Sequence, residues 1–117
     1  MKITSLDVRA CSISTSRSRP IKLRDSTVQL PFLVLSIHTD EGITGTSLGF
    51  AGRTPLAAAH LAAAARSFLI GRDPFERIAL WNEYRHHDRW WNLSPIWIYG
   101  PIDVALWERI LAGGSRA

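Results

Sequence analysis

An α+β fold, with a three-stranded antiparallel meander sheet followed by a helical layer, is what this sequence predicts. Three observations carry that reading. The first third reads as strands, with apolar residues first in imperfect alternation and then in a nearly continuous run of strand length. The remainder carries apolar stripes at helical spacing, punctuated by proline and glycine. Strands and helices are also segregated instead of alternating, which argues against a βαβ plan. With 117 residues and 46% hydrophobic content, the chain has room for one core and one domain.

The first strand is read from Ile3, Leu6, Val8 and Ala10, with Ile13 extending the pattern. From Ser12 to Ser26 the sequence turns polar and reads as a long loop. A second strand runs from about Pro31 to Thr39 through Phe32, Leu33, Val34, Leu35 and Ile37. Asp40-Glu41-Gly42 forms a tight turn, because glycine accepts positive φ at no steric cost. The third strand covers Ile43 to Phe50, where Gly45 and Gly49 leave room for a bulge or for close packing.

Thr54-Pro55 opens the first helix with a cap and a proline at its first position. Alanine carries this helix from Leu56 to Leu69, and Gly71 closes it. Leu56, His60, Ala63, Ser67 and Ile70 define one side; Leu61, Ala64, Ala65 and Phe68 define the neighbouring stripe. Asp73-Pro74-Phe75-Glu76 reads as a capping box, starting a second helix that carries Phe75, Ile78, Leu80 and Trp81 to about His86. After a polar, aromatic connection, a third helix spans about Pro101 to Leu111, with Ile102, Ala105, Leu106, Arg109 and Ile110 as its stripe.

Composition narrows the function classes. No apolar run approaches the ~20 residues of a membrane span, and the acid-bearing start Met1 to Asp7 is not a secretory signal. A single cysteine, Cys11, excludes an intrachain disulfide framework and an all-cysteine zinc site. A cytoplasmic location follows as the expectation. The net charge is +4, and twelve of the fourteen cations are arginine. They are scattered from Arg9 to Arg116, whereas nucleic-acid binding needs a clustered stripe. The one local cluster is Arg17, Arg19, Lys22 and Arg24.

Chemistry-bearing groups are sparse. His86 and His87 project about 100° apart on a helix and cannot share one ion there. His60 reads as a partly buried packing residue and Cys11 as a small core residue. Neither a phosphate-cradling glycine loop nor a nucleophile elbow is present. No catalytic or metal-ligating residue is assigned. Trp81, Tyr84, Trp90, Trp91, Trp97, Tyr99 and Trp107 crowd into the last third, as an aromatic core or as the lining of a pocket or partner surface.

Three strings resemble one family. Leu33 to Gly45 resembles the strand–turn–strand of the N-terminal capping domain of mandelate racemase and muconate lactonizing enzymes, in the enolase superfamily. Leu69-Ile70-Gly71-Arg72-Asp73-Pro74 with Leu80-Trp81 is similar to that domain's helix joint. Gly100 to Trp107 is similar to the helix that leads into the following barrel. The three occur in the family's order and at its spacing.

The resemblance implies residues 1–112 as a capping domain, enolase N-terminal domain-like, and 113–117 as a truncated tail. It implies a parent enzyme that abstracts a proton next to a carboxylate and stabilises the product on Mg²⁺. The metal ligands and bases then lie on a (β/α)₈ barrel absent from this chain, so the chain alone is expected to be inactive. The family's two substrate-lid loops map onto about Thr15–Thr27 and Phe50–Thr54, marking Arg17, Arg19, Lys22, Arg24, Phe50 and Arg53 for a carboxylate small-molecule substrate. The implied partners are the barrel or a second copy of the chain, with no nucleic acid and no membrane. Apolar area around Trp90, Trp91, Trp97 and Ile98 is expected to be bare without the barrel. The alternative is a stand-alone aromatic-rich protein-interaction module.

Overall fold

Alternation within the strands decides which side of the sheet is covered. The computed structural model describes residues 1–16, 27–51, 55–91, 96–111 and 113. Its strands are β1 (Ile3–Ser16), β2 (Thr27–Thr39) and β3 (Thr44–Phe50), in the order β1-β2-β3 and antiparallel throughout. Leu33, Leu35 and Ile37 of β2 are buried, as are Ile3 and Leu6 of β1. Helices α1 (Pro55–Ala63), α2 (Arg66–Leu69), α3 (Arg77–Trp91) and α4 (Ile96–Ala105) follow, and a π-helical segment, Leu106–Leu111, continues α4. The core joins the covered face of the sheet to Ala58, Ala62, Leu69, Leu80, Ile98, Ile102 and Leu106. Each fully buried aliphatic side chain contributes about 1.5–3 kcal/mol. The expected α+β meander and helical layer is the observed fold.

The hairpin turn is as expected. Gly42 has φ 76°, and the Thr39 hydroxyl donates to the Ile43 carbonyl at 2.8 Å. Gly45 and Gly49 serve close packing. A Cβ at Gly45 would overlap the Ala105 carbonyl oxygen, and one at Gly49 would lie 2.6 Å from Pro101 Cγ.

Several boundaries differ. Strand β1 runs on to Ser16, and β2 begins at Thr27, so the polar segment beyond Ser12 starts as strand. Pro31 is compatible with this because it pairs with Ser12, while β3 ends opposite Phe32. Its missing N–H therefore faces an edge with no partner strand.

The alanine helix breaks after Ala63, where Ala65 N–H donates to the Ala62 carbonyl in a tightened turn. The buried stripe is Ala58, Ala62, Ala65 and Leu69, whereas Leu56 and His60 are exposed. Alanine favours a helix without dictating which side faces inward. Gly71 has φ 84°, and its N–H donates to the Ile3 carbonyl at 2.8 Å, tying the helix joint to β1.

At the next helix Asp73 Oδ1 accepts from Phe75 N–H at 2.9 Å, while the Glu76 carboxylate turns to Arg72 at 3.2 Å. The reciprocal capping box does not form, α3 starts at Arg77, and it continues past His86 to Trp91. Helix α4 starts at Ile96 and carries Pro101 inside it. Ile98, expected on a bare surface, is buried. Cys11 is half-buried and belongs to the open face of the sheet, opposite the core.

Candidate functional site

Register brings the two proposed lid segments to one end of the sheet. Ser16 pairs with Thr27 around residues 17–26, and β3 ends with Phe50 opposite Phe32. Buried Ala51 then leads to residues 52–54. The β1–β2 ribbon runs past Phe32 by five residues, about 16 Å beyond the end of β3. Phe50 is thus placed as the last residue of β3. Arg17, Arg19, Lys22, Arg24 and Arg53 lie outside the described residues, as do the side chains of Phe50, Trp90, Trp91 and Trp97.

Two polar constellations went unmarked by the sequence. On the open face of the sheet, His38 Nε2 lies 2.9 Å from Asp7 Oδ2, and His38 Nδ1 lies 3.0 Å from Thr44 Oγ1. In the tautomer with the proton on Nε2, the ring donates to Asp7 Oδ2 and its Nδ1 accepts from the Thr44 hydroxyl. The order Asp–His–Thr is that of a nucleophile relay. Its seat is a flat, solvated sheet whose amides are engaged in the ladder, and acyl transfer needs free donors for an oxyanion. The group acts as a cross-strand tie. The only local hint was the symmetry of His38 and Thr44 about the turn.

The second constellation joins α3 to α4. Arg77 donates from Nε to Asp103 Oδ1 at 2.7 Å and from Nη2 to Oδ2 at 3.1 Å. Its guanidinium also lies 4.8 Å from the Trp107 ring centroid. A cavity of about 230 Å³ opens beside this pair, lined by Ile78, Trp81, Tyr99 and Gly100 together with Arg77 and Asp103. The guanidinium and carboxylate neutralise each other, leaving neither to a ligand. No local sequence signal relates Arg77 to Asp103.

Tyr99 is the buried polar element beneath them. It is 1% exposed, with its ring tilted against Tyr84 at 4.6 Å and Trp81 at 5.4 Å between centroids. Its hydroxyl has no partner among the described residues. Tyr84 and Tyr99 are core and Trp81 packs partly buried against it, whereas Trp107 is half exposed. Burial, with Asp103 nearby, holds the Tyr99 phenol well above the usual tyrosine range. The folded state then keeps a proton that the unfolded chain loses above pH ~10. That contribution to stability is complete below pH 10 and falls as pH rises further. Tyr99→Phe is expected to leave stability at pH 7 unchanged or raise it by about 1 kcal/mol, and to reduce the loss above pH 10. Urea melts at pH 7 and pH 10.5 check this; a loss above 2 kcal/mol at pH 7 would contradict it.

Among the described residues no helix is long and apolar enough to cross a membrane. Nor does any group of three or more His, Cys, Asp or Glu stand ready for a metal ion there.

No protein-family model matches the sequence. A D-mannonate dehydratase of Rhizorhabdus wittichii is 35% identical over 82 residues, spanning 66% of this chain and 20% of that protein. The structure of D-glucarate dehydratase from Agrobacterium tumefaciens, complexed with magnesium, matches 92% of this chain with a TM-score of 0.69 and 23% identity, using 28% of its own length. A mandelate racemase/muconate lactonizing protein from Herpetosiphon aurantiacus matches 90% with a TM-score of 0.67 and 13% identity, again over 28% of its length. The chain has the fold of the N-terminal portion of these enolase-superfamily enzymes and spans under a third of the length of each.

Proposed function

We infer that residues 1–112, with 113–117 as a tail, act as the capping domain of a cytoplasmic, Mg²⁺-dependent enzyme that abstracts a proton α to a carboxylate. The parent is a racemase, a cycloisomerase or an acid-sugar dehydratase. What supports this is topological: a meander of the right fold sends the segments 17–26 and 52–54 from one end of its sheet. Arg17, Arg19, Lys22, Arg24 and Arg53 lie in those segments, with Phe50 at the root of the second. Guanidinium groups at a lid pair bidentately with a substrate carboxylate, and closure of the lid excludes water.

We place the Mg²⁺ and the proton transfer on the barrel of the parent enzyme; among the described residues no group of three or more His, Cys, Asp or Glu stands together. This chain binds and orients the carboxylate and shuts the site. In ²H₂O with Mg²⁺ and a panel of 2-hydroxy acids and sugar acids, the 117-residue chain is expected to exchange no α-proton. The parent's barrel, produced separately, gains exchange when the chain is added. Exchange by the chain alone, or full exchange by the barrel alone, overturns the reading.

A second reading, the stand-alone interaction module, is favoured by exposed Ile78, Val104 and Trp107 at 70%, 54% and 50%. Under the first reading this face packs on the barrel rim. Trp107→Ala then lowers restoration of exchange by the added chain; under the second it leaves that exchange untouched.

A further inference from the structure

The outer edge of β1 is the unclosed side of the sheet. In an antiparallel strand, alternate residues direct both backbone groups to the same side. Ile3 bonds outward to Arg72 and Gly71, and the Leu6 carbonyl accepts outward from Arg66 Nε at 2.7 Å. With the register shift between Ile3 and Ser5, Leu6, Val8 and Ala10 are the outward residues. Beyond Leu6 no described group takes the edge bonds of Val8 and Ala10. The opposite edge is partly closed, since Thr46 N–H reaches Glu108 Oε2 at 3.3 Å.

Natural edges are commonly blunted by charge, because a like-charged neighbour cannot approach. The charges here do the reverse. Asp7 and Arg9 flank Val8 on the open face, and both are exposed. A two-fold axis through Val8 sets Asp7 of each copy opposite Arg9 of the other. Those are non-hydrogen-bonded positions, where side chains stand closest. Asp7 Oδ2 is engaged by His38, which leaves Oδ1 for the guanidinium. A shift of one residue sets Arg9 against Arg9. A shift of two sets Asp7 against Ile13. Charge therefore selects a single register.

We propose that the β1 edge centred on Val8 is a self-association surface that pairs antiparallel with β1 of a second copy about Val8, joining two three-stranded sheets into one of six; Val8 exchanges both backbone bonds with its mate, and each Ala10 N–H shares the other copy's Leu6 carbonyl with Arg66. The two-fold closes on itself and does not propagate. Gly71 and Arg72, already bonded to Ile3, bound the pairing at one end of each strand.

The test is sedimentation equilibrium of the 117-residue chain in the analytical ultracentrifuge up to about 500 µM, because an interface this small is weak. The wild type dimerises. Asp7→Arg and Arg9→Asp each weaken the dimer at least tenfold, and the double exchange restores it to within about threefold. Circular dichroism checks that each variant is folded. In a Cys11→Ser background, Asp7→Cys with Arg9→Cys cross-links two chains under mild oxidation. A wild type that stays monomeric at 500 µM, or a dimer unmoved by Arg9→Asp, overturns the proposal.

Discussion

Gly45→Val is expected to cost about 4 kcal/mol or more, a large share of the ~5–15 kcal/mol that holds an ordinary domain together. A Cβ at this position would overlap the Ala105 carbonyl oxygen and lie 2.9 Å from its carbon, with Ile110 Cδ1 at 3.4 Å. Two of those atoms are backbone and have no rotamer through which to yield. Helix α4 must then lift from the sheet, exposing Ile102, Ala105 and Leu106, each 0% exposed. Gly42→Ala is the control: nothing lies within 4 Å and only its positive φ resists, a cost of about 1 kcal/mol. Urea denaturation followed by circular dichroism compares them. A Gly45→Val domain within 1 kcal/mol of the wild type would mean that α4 does not sit on β3 this closely.

Ile102→Ala is expected to cost about 3–4 kcal/mol, from lost transfer energy and the cavity left behind. Its side chain is fully buried, and its chain neighbour Pro101 is anchored against Gly49. Ser47 Oγ also donates to the Pro101 carbonyl at 2.5 Å. That anchoring keeps α4 from settling into the void. Val104→Ala, two residues along and 54% exposed, should cost under about 0.5 kcal/mol. The same urea melts decide, and equal losses at the two positions would contradict the packing described.

Burial wrote itself into the sequence where it was strong. The apolar run Phe32, Leu33, Val34, Leu35 and Ile37 marked a strand without saying that Leu33, Leu35 and Ile37 are its covered side, and Gly42 marked a turn that needs positive φ; strand and turn were legible. The ribbon from Ser12 to Ser16 and Thr27 to Leu30 was not, because residues beyond the end of β3 pair only with one another, and Ser12, Ile13 and Leu30 are exposed and need no apolar period. Ser12 and its polar neighbours therefore read as loop. In α1, alanine announces a helix but carries too little contrast to say which side is inward, so His60, read as partly buried, is exposed. Pro101 was read as a helix start because an interior proline forfeits a backbone bond. Contacts from Gly49 and Ser47, distant in sequence, offset that loss.

The candidate site divides in the same way. The lid segments were named through family resemblance alone; register shows only that Ser16, Thr27 and Phe50, the residues flanking them, lie toward one end of the sheet. Arg77 and Asp103 stand 26 positions apart, and only the packing of α3 on α4 brings them together. Spacing along one helix carries no trace of such a pair.

The overhanging ribbon is, mechanically, a cantilever. Its root is the three-stranded row through Cys11, Phe32 and Phe50, and its last described rung is Ser16 with Thr27. A change of about 10° in twist at the root, within the ordinary spread between neighbouring strands, sweeps a rung about 16 Å away through about 3 Å. That displacement is one hydrogen-bond length. Packing at the root, five residues away, thereby sets where the rung of Ser16 with Thr27 stands.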